Sequence, residues 1–480
     1  MSSPYTREDL RSRWILGGLA AFAMAWAITR AAVQSITIDE ANTYLFFVSR
    51  HLYLWYAANN HILNSTLMYA FTRGLGLSQF TARLPALIGA AFYIAAVYRL
   101  CRLLRTSLLV QITVFVCLVC NPFIFDYLVA ARGYGLALGF LMWAMVYSAE
   151  SQKRDSFLVT ACAVSSACAG MSVNANFSFA FVNLAAMLAI LLVAWRRRPS
   201  QWIRILAACI LPGATVVAVI SGYALLHTHP GELIYGASSL GETFGSIMDA
   251  SLFQSRLDFL APLVFPLVGV TGLVWLSYSA PRIAPLGWAA AAIFAVTLAI
   301  HWTAFRLFGL PLPKDRTAIF FFPLFMIVAG ALAAIPPPSR IGRYLRASFI
   351  GALAIMAVYF LSCLRLTYFK EWYWDADVHK TYAVLSCLNQ EHQVTHVAST
   401  WEYHAPLNFY QLAQPTSMQE IGDTFDPRQS QVYVVDTLHS PEALQGKNLK
   451  IFYRSPTTDL VLAADPQLAD TYAAGSCLRL

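Results

Sequence analysis

WILGGLAAFAMAWAITRAAV, residues 14–33, holds a single charged side chain, Arg30. A run of about 20 apolar residues is the length that spans a bilayer as a helix. The block lacks a clear small-residue cleavage site, so it is read as a retained first span. Comparable apolar blocks lie at 62–78, 81–103, 107–125, 134–150, 156–172, 176–195, 201–225, 258–279, 284–305, 317–335 and 347–366. The pattern predicts an α-helical polytopic membrane protein with about 11–13 transmembrane helices. Twelve full crossings would return the C-terminus to the inner side, so either the short block 62–78 does not fully cross or a break lies elsewhere.

Composition agrees with a membrane location. Of the 480 residues, 58% are hydrophobic and 12% are charged, whereas soluble domains carry about 25% charged residues. The net charge of +8 comes from short basic clusters between apolar blocks, which is the pattern of cytoplasmic loops and argues against nucleic acid as a partner. These clusters are Arg7, Arg11 and Arg13; Arg99, Arg102 and Arg105; Lys153 and Arg154; Arg196, Arg197 and Arg198; and Arg340, Arg343 and Arg346. They predict outward-facing segments near 39–60, 126–133, 173–176, 226–257 and 306–316, and everything after 366.

The composition changes near Tyr368, where polar residues rise and apolar runs shorten. We predict a transmembrane domain over 1–366 and a small α/β extracytoplasmic domain over 367–480. Strands are expected within 394–400, 431–436 and 448–453, and a helix over 380–389. Cys387 and Cys477 lie in this second domain. They either form a disulfide, as an oxidising compartment would permit, or remain two thiols.

Asp39 and Glu40 directly follow the first span, in ITIDEANTYLFF. Carboxylates beside a membrane are costly unless they bind or react. Asp39 also suits the N-cap of a helix, so a capping role and a catalytic role stay open for it. The segment from Glu40 to Tyr56 mixes aromatic and polar residues, and we expect a helix along the membrane surface.

Two further polar segments fall at outward-facing boundaries. Asn60 and His61 open the second block, where polar residues taken alone are more often structural or solvated ends than functional. Arg132 and Tyr134 follow Asp126 in FDYLVAARGYGLAL. An isolated Arg at such a boundary is often a snorkelling anchor, but small residues around this one permit close approach of a ligand.

Lys314, Asp315 and Arg316 precede a very aromatic span. Positive-inside bias disfavours cations on the outer face. A lipid phosphate suits them, because Arg offers a bidentate fork and Lys a point charge. The alternative is a surface ion pair between Asp315 and Arg316, which would stabilise the fold little.

Taken together, these segments resemble the GT-C membrane glycosyltransferases, and among them the protein O-mannosyltransferase and aminoarabinose transferase group (glycosyltransferase family 39-like). The matching elements, over roughly residues 12–335, are Asp39-Glu40, Asn60-His61, Arg83-Leu84-Pro85, Ala131-Arg132-Gly133-Tyr134 and Asp315-Arg316. The sequence departs from the group at two points. Ile62 and Leu63 replace the prolines expected after His61, and Thr317 replaces a Tyr.

The resemblance implies an inverting transfer of a sugar from a polyprenyl-phosphate donor to a hydroxyl of a glycan, lipid or protein, at the outer face of the cell (inner) membrane. It implies Asp39 as general base, with Glu40 orienting the acceptor or assisting Asp39. The remaining expected residues are Arg132, Lys314 and Arg316 at the donor phosphate, and Asn60, His61 and Tyr134 in the substrate pocket. A divalent cation bridging carboxylate and phosphate stays open, although no complete ligand set is visible.

Other functions are compatible with parts of the pattern. A transporter or flippase for a lipid-linked saccharide would bind the same phosphate without chemistry, but it should show repeated halves and broken midplane helices, and we find neither in the sequence. A structural subunit of an envelope complex would not need the acids and cations together. TWEYHAPLNFY, residues 400–410, is either a sugar-facing aromatic patch or core.

Overall fold

The computed structural model describes residues 7–55, 57, 59–151, 155–227, 235–279, 284–423 and 430–479. The basic pair Lys153 and Arg154 and part of the segment 226–257 lie outside these residues. The α-helices are α1 Arg7–Val33, α2 Ile38–Asn42, α3 Ile62–Leu75, α4 Gln79–Leu103, α5 Leu108–Cys120, α6 Pro122–Val129, α7 Tyr134–Ser151, α8 Leu158–Ala175, α9 Ala180–Arg197, α10 Trp202–Leu226, α11 Leu240–Ser251, α12 Ala261–Ser279, α13 Pro285–Phe308, α14 Phe321–Ala333, α15 Arg340–Ser362, α16 Val378–His392, α17 Trp401–Ala413 and α18 Pro466–Ala474. The strands are β1 Val397–Ser399, β2 Val432–Asp436, β3 Lys450–Arg454 and β4 Leu460–Ala464.

The chain is a multi-pass membrane protein. Among the described residues, eight helices are long and apolar enough to cross a bilayer, and a ninth span results if the bent pair α5 and α6 is counted as one. The predicted blocks 62–78 and 317–335 form helices of 14 and 13 residues, which are about 20 Å long at 1.5 Å per residue. That is shorter than the hydrocarbon core of about 30 Å.

The block 107–125 is broken in the middle rather than continuous. Helices α5 and α6 meet at a 56° bend. Asn121 caps α6 by accepting a hydrogen bond from the Ile124 amide, and Pro122 occupies the first turn. Since proline lacks an N–H and clashes with the preceding turn, it ends α5 and starts α6.

The chain folds into two compact units. The first comprises residues 1–28, 54–64 and 85–364. Its core includes α8 and α10, which approach closely through small residues. A Cβ at Gly170 would lie 2.6 Å from the Gly213 carbonyl oxygen, and the Ser166 hydroxyl accepts a 2.9 Å hydrogen bond from the Gly213 amide. Small side chains at such crossings are typical of packing between helices in membranes.

The second unit comprises residues 29–53, 65–84 and 365–480. It contains a four-stranded sheet of order β1-β2-β4-β3, in which β1 and β2 are parallel and the other pairs antiparallel. The three predicted strands and the predicted helix are present, and β4 is an additional strand. The predicted domain boundary at 366 stays a prediction, since residues 365–480 share this unit with two earlier segments.

The predicted extent of the helix over 40–56 was wrong, whereas one of the two readings left open for residues 400–410, the core, is confirmed. The helix predicted from Glu40 to Tyr56 ends early. Helix α2 continues into a short π-helix, Thr43–Val48, and the chain has left helical geometry by His51, where φ is +59°. The aromatic patch at 400–410 belongs mainly to the core, where Tyr403 and Tyr410 are buried while Trp401 is exposed.

Candidate active site

Asp39 lies in the first turn of α2, and this short helix is fixed by a capping box. The Thr37 hydroxyl accepts a 3.2 Å hydrogen bond from the Glu40 amide. In return the Glu40 carboxylate accepts a 2.9 Å bond from the Thr37 amide. Of the two roles left open for Asp39, the N-cap is excluded, because Thr37 holds that position. Its side chain is partly exposed, whereas Glu40 is buried.

Glu40 forms a fully buried ion pair with Arg83, from the Arg-Leu-Pro element at the start of α4. Arg83 Nε and Nη2 donate to the two Glu40 oxygens at 2.9 and 2.7 Å, and both side chains have zero exposure. The other Arg83 hydrogens reach the carbonyls of Ala31, Gln34 and Ser35 at 3.3, 2.6 and 2.6 Å. All five guanidinium donors are therefore used. Both Glu40 oxygens are engaged as well, which does not fit their use as ligands of a divalent cation.

The polypeptide just before Asp39 is held by residues from after 365. The Ser35 hydroxyl donates to the Ala376 carbonyl at 2.7 Å. The Ile36 amide donates to the Tyr410 hydroxyl at 2.9 Å. The Ile38 amide donates to Asp375 Oδ2 at 2.8 Å. We call Asp39, Glu40, Arg83 and Asp375 the carboxylate cluster. No local signal in the sequence identified Asp375, because its partners lie more than 300 positions away.

A second cluster, in the first unit, surrounds His61. The His61 and Tyr134 rings are 5.4 Å apart in an edge-to-face arrangement. Burial and the charges of Arg132 and Arg316 together lower the pKa of His61 well below its usual value, so the imidazole is neutral at pH 7. Its Nε2 atom is buried and has no hydrogen-bond partner among the described residues. We call His61, Arg132, Tyr134 and Arg316 the basic cluster.

The turn that carries Arg132 requires glycine. Gly133 has φ +74°, and a Cβ there would lie 2.1 Å from the Ala175 carbonyl oxygen and 3.1 Å from His61 Cβ. The Asn64 side-chain amide donates to the Ala131 carbonyl at 2.8 Å. These contacts hold the Ala131–Tyr134 segment against the start of α3.

Asn60 and Lys314 have partners that the sequence did not reveal. Asn60 is buried and donates to the Trp55 carbonyl at 2.6 Å. Lys314 Nζ lies 2.7 Å from a Glu242 carboxylate oxygen. The hydrogen bond from Lys314 lowers the pKa of Glu242 to about 2, and the same bond raises the pKa of Lys314.

Asp315 and Arg316 are positioned by α11 and by Tyr235. The Asp315 amide donates to the Ser246 hydroxyl at 2.8 Å, and the Asp315 carboxylate accepts a 2.7 Å bond from the Tyr235 hydroxyl. The Arg316 guanidinium lies 5.7 Å from the centre of the Tyr235 ring. The two residues therefore share Tyr235 as a neighbour.

No protein-family model and no curated protein sequence matches the chain. The chain is, however, similar to several solved structures. The crystal structure of ArnT from Cupriavidus metallidurans bound to undecaprenyl phosphate aligns with a TM-score of 0.51 at 12% identity, covering 95% of this chain and 98% of that one. The chain has the GT-C fold.

Two other solved structures with the GT-C fold are similar at lower scores. The apo state of the same Cupriavidus metallidurans protein gives a TM-score of 0.49 at 13% identity, covering 97% of this chain and 100% of that one. The oligosaccharyltransferase AglB from Archaeoglobus fulgidus gives 0.43 at 11% identity, covering 95% and 75%. The predicted fold class, a polytopic helical GT-C protein with a small C-terminal α/β domain, is confirmed.

Proposed function

We propose that this protein is a glycosyltransferase that takes its sugar from a polyprenyl-phosphate donor. The basic cluster carries the proposal, since two guanidinium groups lie around a buried imidazole whose Nε2 lacks a protein partner among the described residues. The GT-C fold, shared with an ArnT structure that holds undecaprenyl phosphate, supports a lipid phosphate as the ligand.

The basic cluster would stabilise the leaving group. As the sugar departs, negative charge grows on the lipid phosphate, and fixed cations in a partly dehydrated site lower the energy of that state. Arg132 and Arg316 supply the charge. Neutral His61 donates a hydrogen bond when Nε2 carries the proton. Tyr134 and Asn60 would line the sugar-binding region.

Lys314 would contribute less than the arginines. Its ammonium group is paired with Glu242, so it reaches a phosphate only by exchanging one anion for another. The net gain from such an exchange near the surface is small, because exposed ion pairs are worth about 0–1 kcal/mol.

The carboxylate cluster would activate the acceptor. Asp39 accepts the proton of the attacking hydroxyl, the hydroxyl oxygen bonds to the anomeric carbon, and the bond from that carbon to the phosphate oxygen breaks. Glu40 assists by holding α2 through Arg83 and the capping box. One displacement inverts the anomeric carbon, so NMR of the product should show the opposite anomer from the donor. Retention would exclude the single displacement.

We place the reaction at the extracytoplasmic face of the cell (inner) membrane. The basic loop clusters support this orientation. So does the bond between Cys387 and Cys477, since disulfides persist in oxidising compartments.

Mass spectrometry of envelope lipids, glycans and proteins tests the proposal. Cells lacking this protein should lose one monosaccharide from one species, and wild-type protein should restore it, whereas Asp39→Asn should not. Restoration by Asp39→Asn would contradict the general base. Unchanged profiles in cells lacking the protein would contradict the transferase.

A further inference from the structure

Asp375 is a buried carboxyl that touches the helix of Asp39. It ends a 3-10 helix, Tyr373–Asp375, and is 1% exposed. Its Oδ2 accepts the Ile38 amide hydrogen at 2.8 Å. The capping box of α2 leaves that amide unused, because its two bonds join Thr37 and Glu40. Asp375 therefore supplies an additional constraint on the first turn of α2.

The second oxygen of Asp375 has no donor. Oδ1 is buried without a hydrogen-bond partner among the described residues, and so is Oε1 of Gln34. Both side chains line the same small cavity, together with Tyr368 and Phe369. Two buried acceptors facing one cavity are unfavourable. A proton on Asp375 converts one of them into a donor.

Arg83 is the cation near Asp375, but its hydrogen-bond donors are all in use. Its five hydrogens are donated to Glu40 and to three backbone carbonyls, so Arg83 forms no hydrogen bond to Asp375. Burial raises the pKa of Asp375 well above its usual value, and the charges of Asp39 and Glu40 add to this, against the opposing effects of the Ile38 amide and Arg83.

Two more titratable or charged groups face this region from other elements. Tyr403 on α17 has its pKa raised by burial, by Asp436 and, more weakly, by Asp375. Arg30 on α1 donates to the Tyr368 carbonyl at 3.3 Å, on the cavity wall. Glu40 is paired with Arg83, whereas the charge of Asp39 directly opposes a second negative charge on Asp375.

We propose that Asp375 is a positioning residue that acts as a neutral acid. It holds the first turn of α2 through Ile38, and by keeping its proton it leaves Asp39 as the ionised carboxylate. The inference rests on Asp39 being the base of the proposed reaction. Ionisation of Asp375 would place a second negative charge beside Asp39, raise its proton affinity and disturb α2.

Two substitutions separate the hydrogen bond that Asp375 accepts from the charge that it would carry. Asp375→Asn keeps an oxygen for the Ile38 amide and stays neutral, so at pH 7 its kcat should lie within about threefold of wild type. Asp375→Ala removes the acceptor and should lower kcat more than about tenfold with an unchanged KM for the donor. Asp377→Asn is the matched control. Asp377 is bound to Ser455 and the Thr457 amide instead of α2, so its substitution should change neither value.

The pH profile is the decisive readout. Wild-type kcat should fall at alkaline pH as Asp375 loses its proton, while Asp375→Asn should keep its activity over the same range. An alkaline decline shared by both proteins, or a loss in Asp375→Asn as large as in Asp375→Ala, would overturn the proposal.

A stability measurement keeps this test independent of the transfer reaction. Because the pKa of Asp375 is raised in the folded state, the folded protein holds a proton that the unfolded chain releases, and stability falls as pH rises between the two pKa values. The Tm of wild type should therefore fall more than that of Asp375→Asn between pH 5 and 9, on the order of a few degrees. If the Tm values of wild type and Asp375→Asn changed equally with pH, the proposal that Asp375 is a neutral acid would be overturned, even if Asp39→Asn were inactive. If the Tm of wild type fell more than that of Asp375→Asn but the Asp39→Asn protein remained active, the role of Asp39 in the proposed function would be contradicted instead.

Discussion

At the scale of single residues, adjacent Asp39 and Glu40 have very different surroundings. The Glu40 side chain forms an ion pair with Arg83 and is fully buried, whereas the Asp39 side chain is partly exposed to solvent. A buried charge whose partner is removed costs about 3–5 kcal/mol. The Glu40–Arg83 pair is therefore a strong constraint on α2, and Asp39 is the carboxylate of the two that can meet a substrate.

Arg83→Ala should reduce the unfolding free energy by about 3–5 kcal/mol, because it leaves Glu40 charged and buried. Arg99→Ala is the control on the same helix. Arg99 pairs with Glu150 at the surface, and its loss should cost about 0–1 kcal/mol. Thermal unfolding of the purified proteins compares them, and equal losses would contradict the special status of the buried pair.

Arg316→Ala should weaken the binding of undecaprenyl phosphate about tenfold, since hydrogen bonds to charged groups contribute about 1.5–3 kcal/mol. Lys314→Ala should weaken it less than about threefold, because Glu242 already holds that cation. Arg306→Ala serves as the control, as Arg306 lies against Trp302. Titration of each protein in detergent measures the affinities. An effect of Lys314→Ala larger than that of Arg316→Ala would contradict the assignment.

The sequence located these residues better than it distinguished their roles. Asp39 and Glu40 are recognisable because acids after a first span are unusual. Their separation into an accessible and a sealed carboxylate depends on Arg83, 43 positions from Glu40, and on Asp375, 337 positions from Ile38. The Glu242 partner of Lys314 is 72 positions away. Such pairings arise from tertiary packing, which local spacing does not encode.

At the scale of secondary-structure elements, the breaks between helices carry the candidate site. The bend at Asn121 and Pro122 starts α6, and the Gly133 turn ends the segment that presents Arg132. Proline and glycine mark such breaks in a sequence, yet block 107–125 looked continuous because its apolar residues run through the bend. Strand β4 was missed for a similar reason. LVLAA is fully buried and has a single β-branched residue, so neither alternation nor composition identifies it as a strand.

Gly133→Ala should destabilise the protein and weaken donor binding, because the added methyl would meet the Ala175 carbonyl and φ is positive. A cost of more than about 1 kcal/mol is expected. Gly222→Ala, in the same unit, has nothing within 4 Å of the new Cβ and should be neutral or stabilising by about 0.5–1 kcal/mol. Thermal unfolding and undecaprenyl phosphate titration measure both. A harmless Gly133→Ala would show that the turn is not constrained.

At the scale of the whole molecule, composition alone predicted the membrane class. Hydrophobicity and basic loop clusters need no tertiary contacts to be read, which is why the helical membrane class was predictable. The GT-C fold was predicted from the resemblance of its motifs instead. The number of spans was harder to predict, because short helices such as α3 and α14 are as apolar as a span but are not long enough to cross the membrane. The disulfide also depends on the fold, because it joins positions 90 residues apart.

The Cys387–Cys477 bond should be present in cells and should stabilise the second unit by about 2–4 kcal/mol. Maleimide-polyethylene glycol added to the denatured protein should modify these two cysteines only after reduction. Cys387→Ser should lower the Tm, whereas Cys168→Ser, which removes a free thiol, should not. Modification of both cysteines without reductant would contradict the disulfide.

In the proposed reaction, Asp39 activates an acceptor while the basic cluster stabilises the departing lipid phosphate. The most direct measurement is the rate at which purified protein in proteoliposomes releases undecaprenyl phosphate from the undecaprenyl-phosphate sugar identified by envelope mass spectrometry. Wild type should turn over with acceptor present, and Asp39→Asn should be slower by at least about 100-fold while binding undecaprenyl phosphate equally well. Turnover by Asp39→Asn at the wild-type rate would contradict the role of Asp39 as general base.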